Sequence, residues 1–306
     1  MSQYRLVQGD ADVTSEPLGS DEAGVRVWQP ISDESWARIA RQLEERPEAE
    51  LWIEYPTEDL EVLRLVPTVR RLTVRSLSLR SWDGVRHVAA SLERLDMADG
   101  TLRPISIAPL GELGLTALYL IGPVRDVEVL GRLTGMTGLG LRSLTLPDLS
   151  LLLPMRELRD LWIGLGGTSD LGLLPELANL EELELWRIRG LRDVSVVGAM
   201  PNLRSLMLQS MSAITDLPSL RAATALRRVA LDTMKGITDL SPLAEAPNLE
   251  ELLLIAMPHL DAESLRPLIG HPTLRRGVWG FGSTRKNVAA YDLLPLGDPP
   301  YGHPSA

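Results

Sequence analysis

The chain has 306 residues, 44% of them hydrophobic and 24% charged, a balance that excludes wholesale disorder. Its formal charge of -10 argues against a nucleic-acid partner, because such a partner requires a basic footprint to replace counterions along the phosphates. Cys is absent, which removes disulfides, thiolate nucleophiles and Cys-containing zinc sites, and fits a reducing compartment.

In chain order, residues 1–30 come first and mix acids, Gly, Ser and Pro17. They read as a flexible or loosely packed lead-in, with Val25 to Trp28 as a short strand. Met1 to Val13 are polar and carry Asp10 and Asp12, so they do not read as a signal peptide. No apolar run approaches the roughly 18–20 residues that span a bilayer, and the expectation is a cytoplasmic protein with no membrane contact. Residues 31–47 follow as a capping helix. Ser32 or Asp33 can cap it, Trp36, Ile39, Ala40 and Leu43 fall on one face at helical spacing, and Pro47 ends it.

From residue 48 to 281 the pattern L-x-x-L-x-L recurs. Its cleanest copies are Leu180-Leu183-Leu185, Leu203-Leu206-Leu208, Leu226-Val229-Leu231 and Leu249-Leu252-Leu254, with starts about 23 residues apart. Weaker copies run back through Leu158, Leu115, Leu92 and Val69 to Leu51, and forward to Leu274, giving about eleven units. One copy, Leu141-Leu144-Leu146, comes late after its predecessor, which predicts a break in curvature or a missing outer turn around Leu141 to Met155. Alternating Leu is the period-two signature of a strand with one buried face. No unit can bury that face alone, so the units must stack into one continuous core.

The second half of each unit sharpens the pattern. Ile214-Thr215-Asp216-Leu217 and Ile237-Thr238-Asp239-Leu240-Ser241-Pro242-Leu243, followed by Pro247-Asn248-Leu249, resemble the short leucine-rich repeats of internalins and of a regulatory subunit of a eukaryotic protein phosphatase. The resemblance implies an α/β solenoid: a leucine-rich-repeat horseshoe with a parallel β-sheet on the concave face and short 3₁₀ or irregular segments on the convex face. Where many family members carry Asn after the third Leu, this chain has Ile188, Met211, Met234 and Met257, which are expected to fill the core instead. Asp193, Asp216 and Asp239 recur once per unit and are read as caps of the outer turns. Residues 282–306, rich in Pro and Gly, are expected to form an irregular tail.

Little in the sequence points to catalysis, a cofactor or a metal. His87, His259, His271 and His303 are scattered without a carboxylate or His at ligand spacing. Gly164 to Ser169 lacks the Lys of a phosphate loop and falls where each unit must turn, and Gly280 to Lys286 shows no following helix signal. The informative positions are those between the buried Leu of each strand, which face away from the core. Such positions are usually polar, but Tyr119, Trp162, Trp186 and Met207 form an aromatic and thioether group, and Leu253, Ile255 and Val278 an apolar patch beyond it. Such patches mark interaction sites, and Gly164 beside Trp186 is expected to leave room for a large group. Flanking columns alternate Arg159, Glu181, Arg204, Arg227, Glu250 and Arg275, predicting lateral ion pairs. The reading is a non-catalytic, intracellular protein-binding scaffold (adaptor, inhibitor or sensor). Its alternative is a small-ligand or carbohydrate-binding module on the same aromatic surface.

Overall fold

A computed structural model describes residues 3–297, which divide into two units. Of these, the first comprises residues 3–144 and 154–157, the second residues 145–153 and 158–297.

In the first unit the strands are β1 (Gln3–Val7), β2 (Glu22–Val27), β3 (Glu50–Ile53), β4 (Arg71–Val74), β5 (Arg94–Met97), β6 (Ile105–Ser106), β7 (Ala117–Ile121), β8 (Val124–Arg125) and β9 (Gly138–Arg142). Seven of them pair in parallel in the order β1-β2-β3-β4-β5-β7-β9, while β6 and β8 form a small pair of their own. The supposedly loose lead-in is thus corrected. Val7, Val25 and Val27 are buried, and β1 and β2 extend the repeat sheet. Helix α1 (Asp33–Glu45) starts where Ser32 accepts the Ser35 N–H, and buries Trp36, Ile39, Ala40 and Leu43, as the spacing predicts.

The second unit contains β10 (Asp160–Gly164), β11 (Glu182–Trp186), β12 (Ser205–Gln209), β13 (Arg228–Asp232), β14 (Glu251–Ile255) and β15 (Arg276–Trp279), paired in parallel in that order. Leu183, Leu206, Val229 and Leu252 stand in one register row, and Leu185, Leu208, Leu231 and Leu254 in the next, all at most 2% exposed. Each fully buried Leu contributes about 1.5–3 kcal/mol of transfer free energy, repeated in every unit. Eleven strands, β3 to β5, β7 and β9 to β15, therefore carry the repeats from residue 50 to 279.

The outer side of the repeats is mostly 3₁₀, from Glu61–Leu65 to Ala262–Leu268, with one short helical turn, α2 (Ser241–Ala244). Units of this length leave no room for longer helices. The recurring Asp stands just before the N-cap and not at it: Asp148, Asp193 and Asp239 accept the N–H of Ser150, Ser195 and Ser241, the first residue of each outer turn, and Asp170 accepts that of Gly172. Asp216 is followed two residues later by Pro218, which has no N–H to give, and its carboxylate accepts from the Thr215 hydroxyl instead. Ile188, Met211, Met234 and Met257 are buried at the positions other repeats give to Asn.

Two further expectations are corrected. The strand near residue 140 is built on Leu139 and Leu141, in register with Leu118 and Leu120, so Leu144 and Leu146 belong to the turn that follows. Its outer turn is present at Ser150–Leu152. The tail is not irregular throughout: α3 (Thr284–Leu293) begins at Ser283, which accepts the Lys286 N–H, and the Lys286 ammonium donates to the carbonyls of Pro258 and Leu260. The tail beyond residue 297 lies outside the described residues.

Candidate interaction face

Every second residue of β10 to β15 points away from the Leu core, and the parallel register stacks these residues in three columns. The first reads Asp160, Glu182, Ser205, Arg228, Glu251, Arg276. The second reads Trp162, Glu184, Met207, Ala230, Leu253, Val278, and the third runs from Gly164 through Trp186, Gln209 and Asp232 to Ile255.

The structure brings Trp162 and Trp186 together, with ring centroids 5.9 Å apart and planes tilted by 44°. Gly164 is what permits this. A Cβ built there would lie 2.5 Å from Cη2 and 2.8 Å from Cζ2 of Trp162, and 3.0 Å from Cε3 of Trp186. The room expected beside Trp186 is therefore already filled by the Trp162 ring. Both indoles are half-buried.

Met207 and Leu253 are corrected as well. They are 7% and 2% exposed, because Ala230 between them is small and lets their side chains close over it, with Ile255 and Val278 packed alongside. This band is a second, minor core on the sheet surface, from which Ile255 stays half-buried. Tyr119 belongs to the first unit, where its ring lies over Gly140 on the neighbouring strand.

The charged residues of this face fall into two groups. Glu251 is held by Arg228 at 3.1 Å and Arg276 at 3.5 Å, and Glu181 by Arg159 at 2.6 Å and Arg204 at 3.2 Å, as the alternating charges predict. Asp160, Glu182 and Glu184 differ: among the described residues no cation forms an ion pair with them. Burial pushes all three carboxyl groups above the usual range. The neighbouring acids Glu181, Asp160 and Glu182 add to the rise at Asp160, Glu182 and Glu184 respectively, while the Trp162 indole N–H donates to Glu184 and opposes it. Asp160 and Glu182 face each other directly across β10 and β11.

The first unit offers an instructive contrast that the sequence did not single out. Arg26 lies 4.4 Å from the centre of the Trp52 ring and 5.6 Å from that of Tyr4, and donates twice to Glu54 at 2.7 and 2.9 Å. Arg75 reaches the same carboxylate at 3.1 Å. Here the carboxylate and the guanidinium groups satisfy one another within the chain, with Arg26 laid against both rings.

None of these carboxylates lies in a metal-binding arrangement. Among the described residues no group of three His, Asp or Glu is placed to hold a metal ion. His87 meets Glu61, His259 the Ile237 carbonyl and His271 the Ala246 carbonyl, whereas His303 lies outside the described residues. No helix of the described residues is long and apolar enough to cross a membrane.

No protein-family model and no curated protein sequence matches the chain. Solved structures do. An internalin, InlF, from Listeria monocytogenes aligns over 98% of this chain and 87% of its own, at a TM-score of 0.60 and 16% identity. TLR13, solved in complex with ssRNA13, aligns over 90% of this chain and 46% of its own, at a TM-score of 0.52 and 16% identity. At this identity the likeness concerns the fold, and it agrees with the parallel strands, the 3₁₀ turns and the Leu rows: by its fold the chain is a leucine-rich-repeat protein.

Proposed function

We propose that the chain is a protein-binding scaffold rather than an enzyme, and that it holds its partner on the outward face of the second unit's sheet, around Trp162, Trp186 and Ile255. The observation that carries this reading is the Trp162–Trp186 pair, half-buried over Gly164 and bordered by three carboxylates without a cation. Large aromatic rings already fixed in place lose little entropy on binding, which is why Trp dominates interface hot spots. Met207 and Leu253 support the face from beneath and leave Ile255 as its apolar margin. The tilt of the indoles, and the Trp162 ring laid on Gly164, favour a protein segment over a sugar ring, which stacks on an open, flat platform.

Photo-crosslinking in the native cell extract tests this. A crosslinker replacing Ile255 should capture a partner that a crosslinker replacing Glu176, exposed on the outer 3₁₀ side, does not. The reverse pattern would move the binding surface off the sheet.

A further inference from the structure

Resting on that reading, we propose that the outward sheet face of β10 and β11 docks an extended, arginine-bearing segment of another protein, whose guanidinium groups pair with Asp160, Glu182 and Glu184 beside the Trp162–Trp186 pair.

The argument is charge complementarity, read from the chain's own solutions to the same problem. Elsewhere on this kind of face two enclosed carboxylates are each clasped by a pair of arginines. Glu54 lies between Arg26 and Arg75, and Glu251 between Arg228 and Arg276. Asp160, Glu182 and Glu184 have no such clasp, and Asp160 and Glu182 are exposed to a cation arriving from solvent. The arginines nearest in effect are committed elsewhere: Arg159 to Glu181 at 2.6 Å and Arg228 to Glu251 at 3.1 Å. Asp160 and Glu182 stand directly opposite on paired strands, an arrangement that repels unless a cation sits between them. Asp160 and Glu182 are exposed and Glu184 is half-buried, and partial desolvation together with mutual repulsion raises all three carboxyl groups, a burden that an incoming cation reduces.

The geometry selects the form of the cation. No trio of these ligands is placed to hold a metal ion among the described residues. Glu182 and Glu184 are two residues apart on one strand, about 6.5–7 Å, which is the spacing of alternate side chains in an extended peptide. A planar guanidinium bonds carboxylates in pairs and stacks on an indole, whereas an ammonium does the first poorly and the second weakly. The Arg26–Glu54–Trp52 arrangement shows this chain already using that combination.

The test uses the full chain and labelled peptides of about ten residues, long enough to cross β10 to β12 in extended form. Arg alternates with Thr in one peptide, and Gln or Glu replaces every Arg in two others. The Arg peptide should bind saturably, at least about tenfold tighter than the Gln peptide, and the Glu peptide should not bind. Joint replacement Asp160→Asn, Glu182→Gln and Glu184→Gln should weaken the Arg peptide about tenfold or more, while Glu176→Gln, a carboxylate off this face, leaves it unchanged. Melting of the triple variant at or above wild type separates lost charge from lost fold. Equal binding of the Arg and Gln peptides, both abolished by Trp186→Ala, would overturn the arginine inference and leave the binding face standing. Arg-peptide binding insensitive to both the triple variant and Trp186→Ala would overturn both. Absence of saturable binding by the Arg peptide overturns the inference.

Discussion

The Met257 sulfur accepts the backbone N–H of Met234 across one repeat, at 3.2 Å, with both side chains fully buried. In repeats that carry Asn at this place an amide satisfies the turn, and here a thioether takes over part of that work while filling core volume. Met257→Leu keeps the volume but leaves a buried N–H without its acceptor. It should cost about 1–2 kcal/mol. Met211→Leu, one repeat before Met234, removes no such bond and should cost less than about 1 kcal/mol. Denaturant melts of the two variants decide the matter: equal losses would mean that the sulfur is only filler.

From β9 to β14 each strand leaves the sheet through a residue with positive φ: Ser143, Leu165, Arg187, Ser210, Thr233 and Ala256, with φ between 47° and 59°. None is Gly, so each holds its turn against the Cβ clash of the left-handed region. Ala256, at 49° and exposed, is the cleanest place to measure that strain. Ala256→Gly should stabilise the chain by about 0.5–1 kcal/mol, a rise of ~1–3 °C in Tm. At Ala213, exposed and without positive φ, the same change should lower Tm.

The raised carboxyl groups fix the sign of a pH effect. A carboxyl group whose folded pKa lies above its unfolded value binds protons more readily when folded, so its contribution to stability improves as pH falls through the folded value. Asp160, Glu182 and Glu184 all behave this way. Asp148 and Asp239, held low by hydrogen bonds from Ser150 and Ser241, act in the opposite direction at lower pH. The difference between wild type and Glu182→Gln isolates the first effect. The variant should melt higher at pH 7, and its advantage should shrink as the pH is lowered into the range where Glu182 takes up its proton. An advantage that grows on acidification would mean that Glu182 is stabilised, not burdened, by its surroundings.

Much of this architecture is legible in the sequence because one physical signal, Leu at period two in a strand, is repeated with little change. The losses occur where another force decides. Around residue 140, Leu139 and Leu144 each fit the motif, and only pairing with Leu118 on β7 selects Leu139. Helix α3 buries a single Ala290 and is held by Ser283 and Lys286, so it has no apolar stripe to read. Met207 and Leu253 were expected to be exposed because strand alternation gives a side chain's direction and not its neighbours. It is the small Ala230 between them that closes the band. The acids beside Trp162 were visible as letters, but their want of a cation emerged only from the register and from the pairing of Arg159 and Arg228 elsewhere.

The Trp pair and the Leu rows should respond oppositely to truncation. Leu183 is 1% exposed in the middle of its row, and Leu183→Ala should cost about 2–5 kcal/mol through lost transfer energy and the cavity left behind. Trp162 is half-buried and outside that core, so Trp162→Ala forfeits mainly its packing on Trp186 and Gly164, about 1–2 kcal/mol. Gly164→Ala provides an independent check without deleting a ring. The added methyl group meets both indoles and must displace them, while the Leu rows beneath are untouched. All three variants can be compared by melting and by binding of the Arg–Thr peptide at a temperature where each is folded. Leu183→Ala should melt lowest and bind as wild type, whereas Trp162→Ala and Gly164→Ala should melt higher than it and bind worse, with an expected loss of about 2 kcal/mol for Trp162→Ala. If Trp162→Ala instead unfolds as readily as Leu183→Ala, the indole is part of the fold's support and the partner must be sought on another surface.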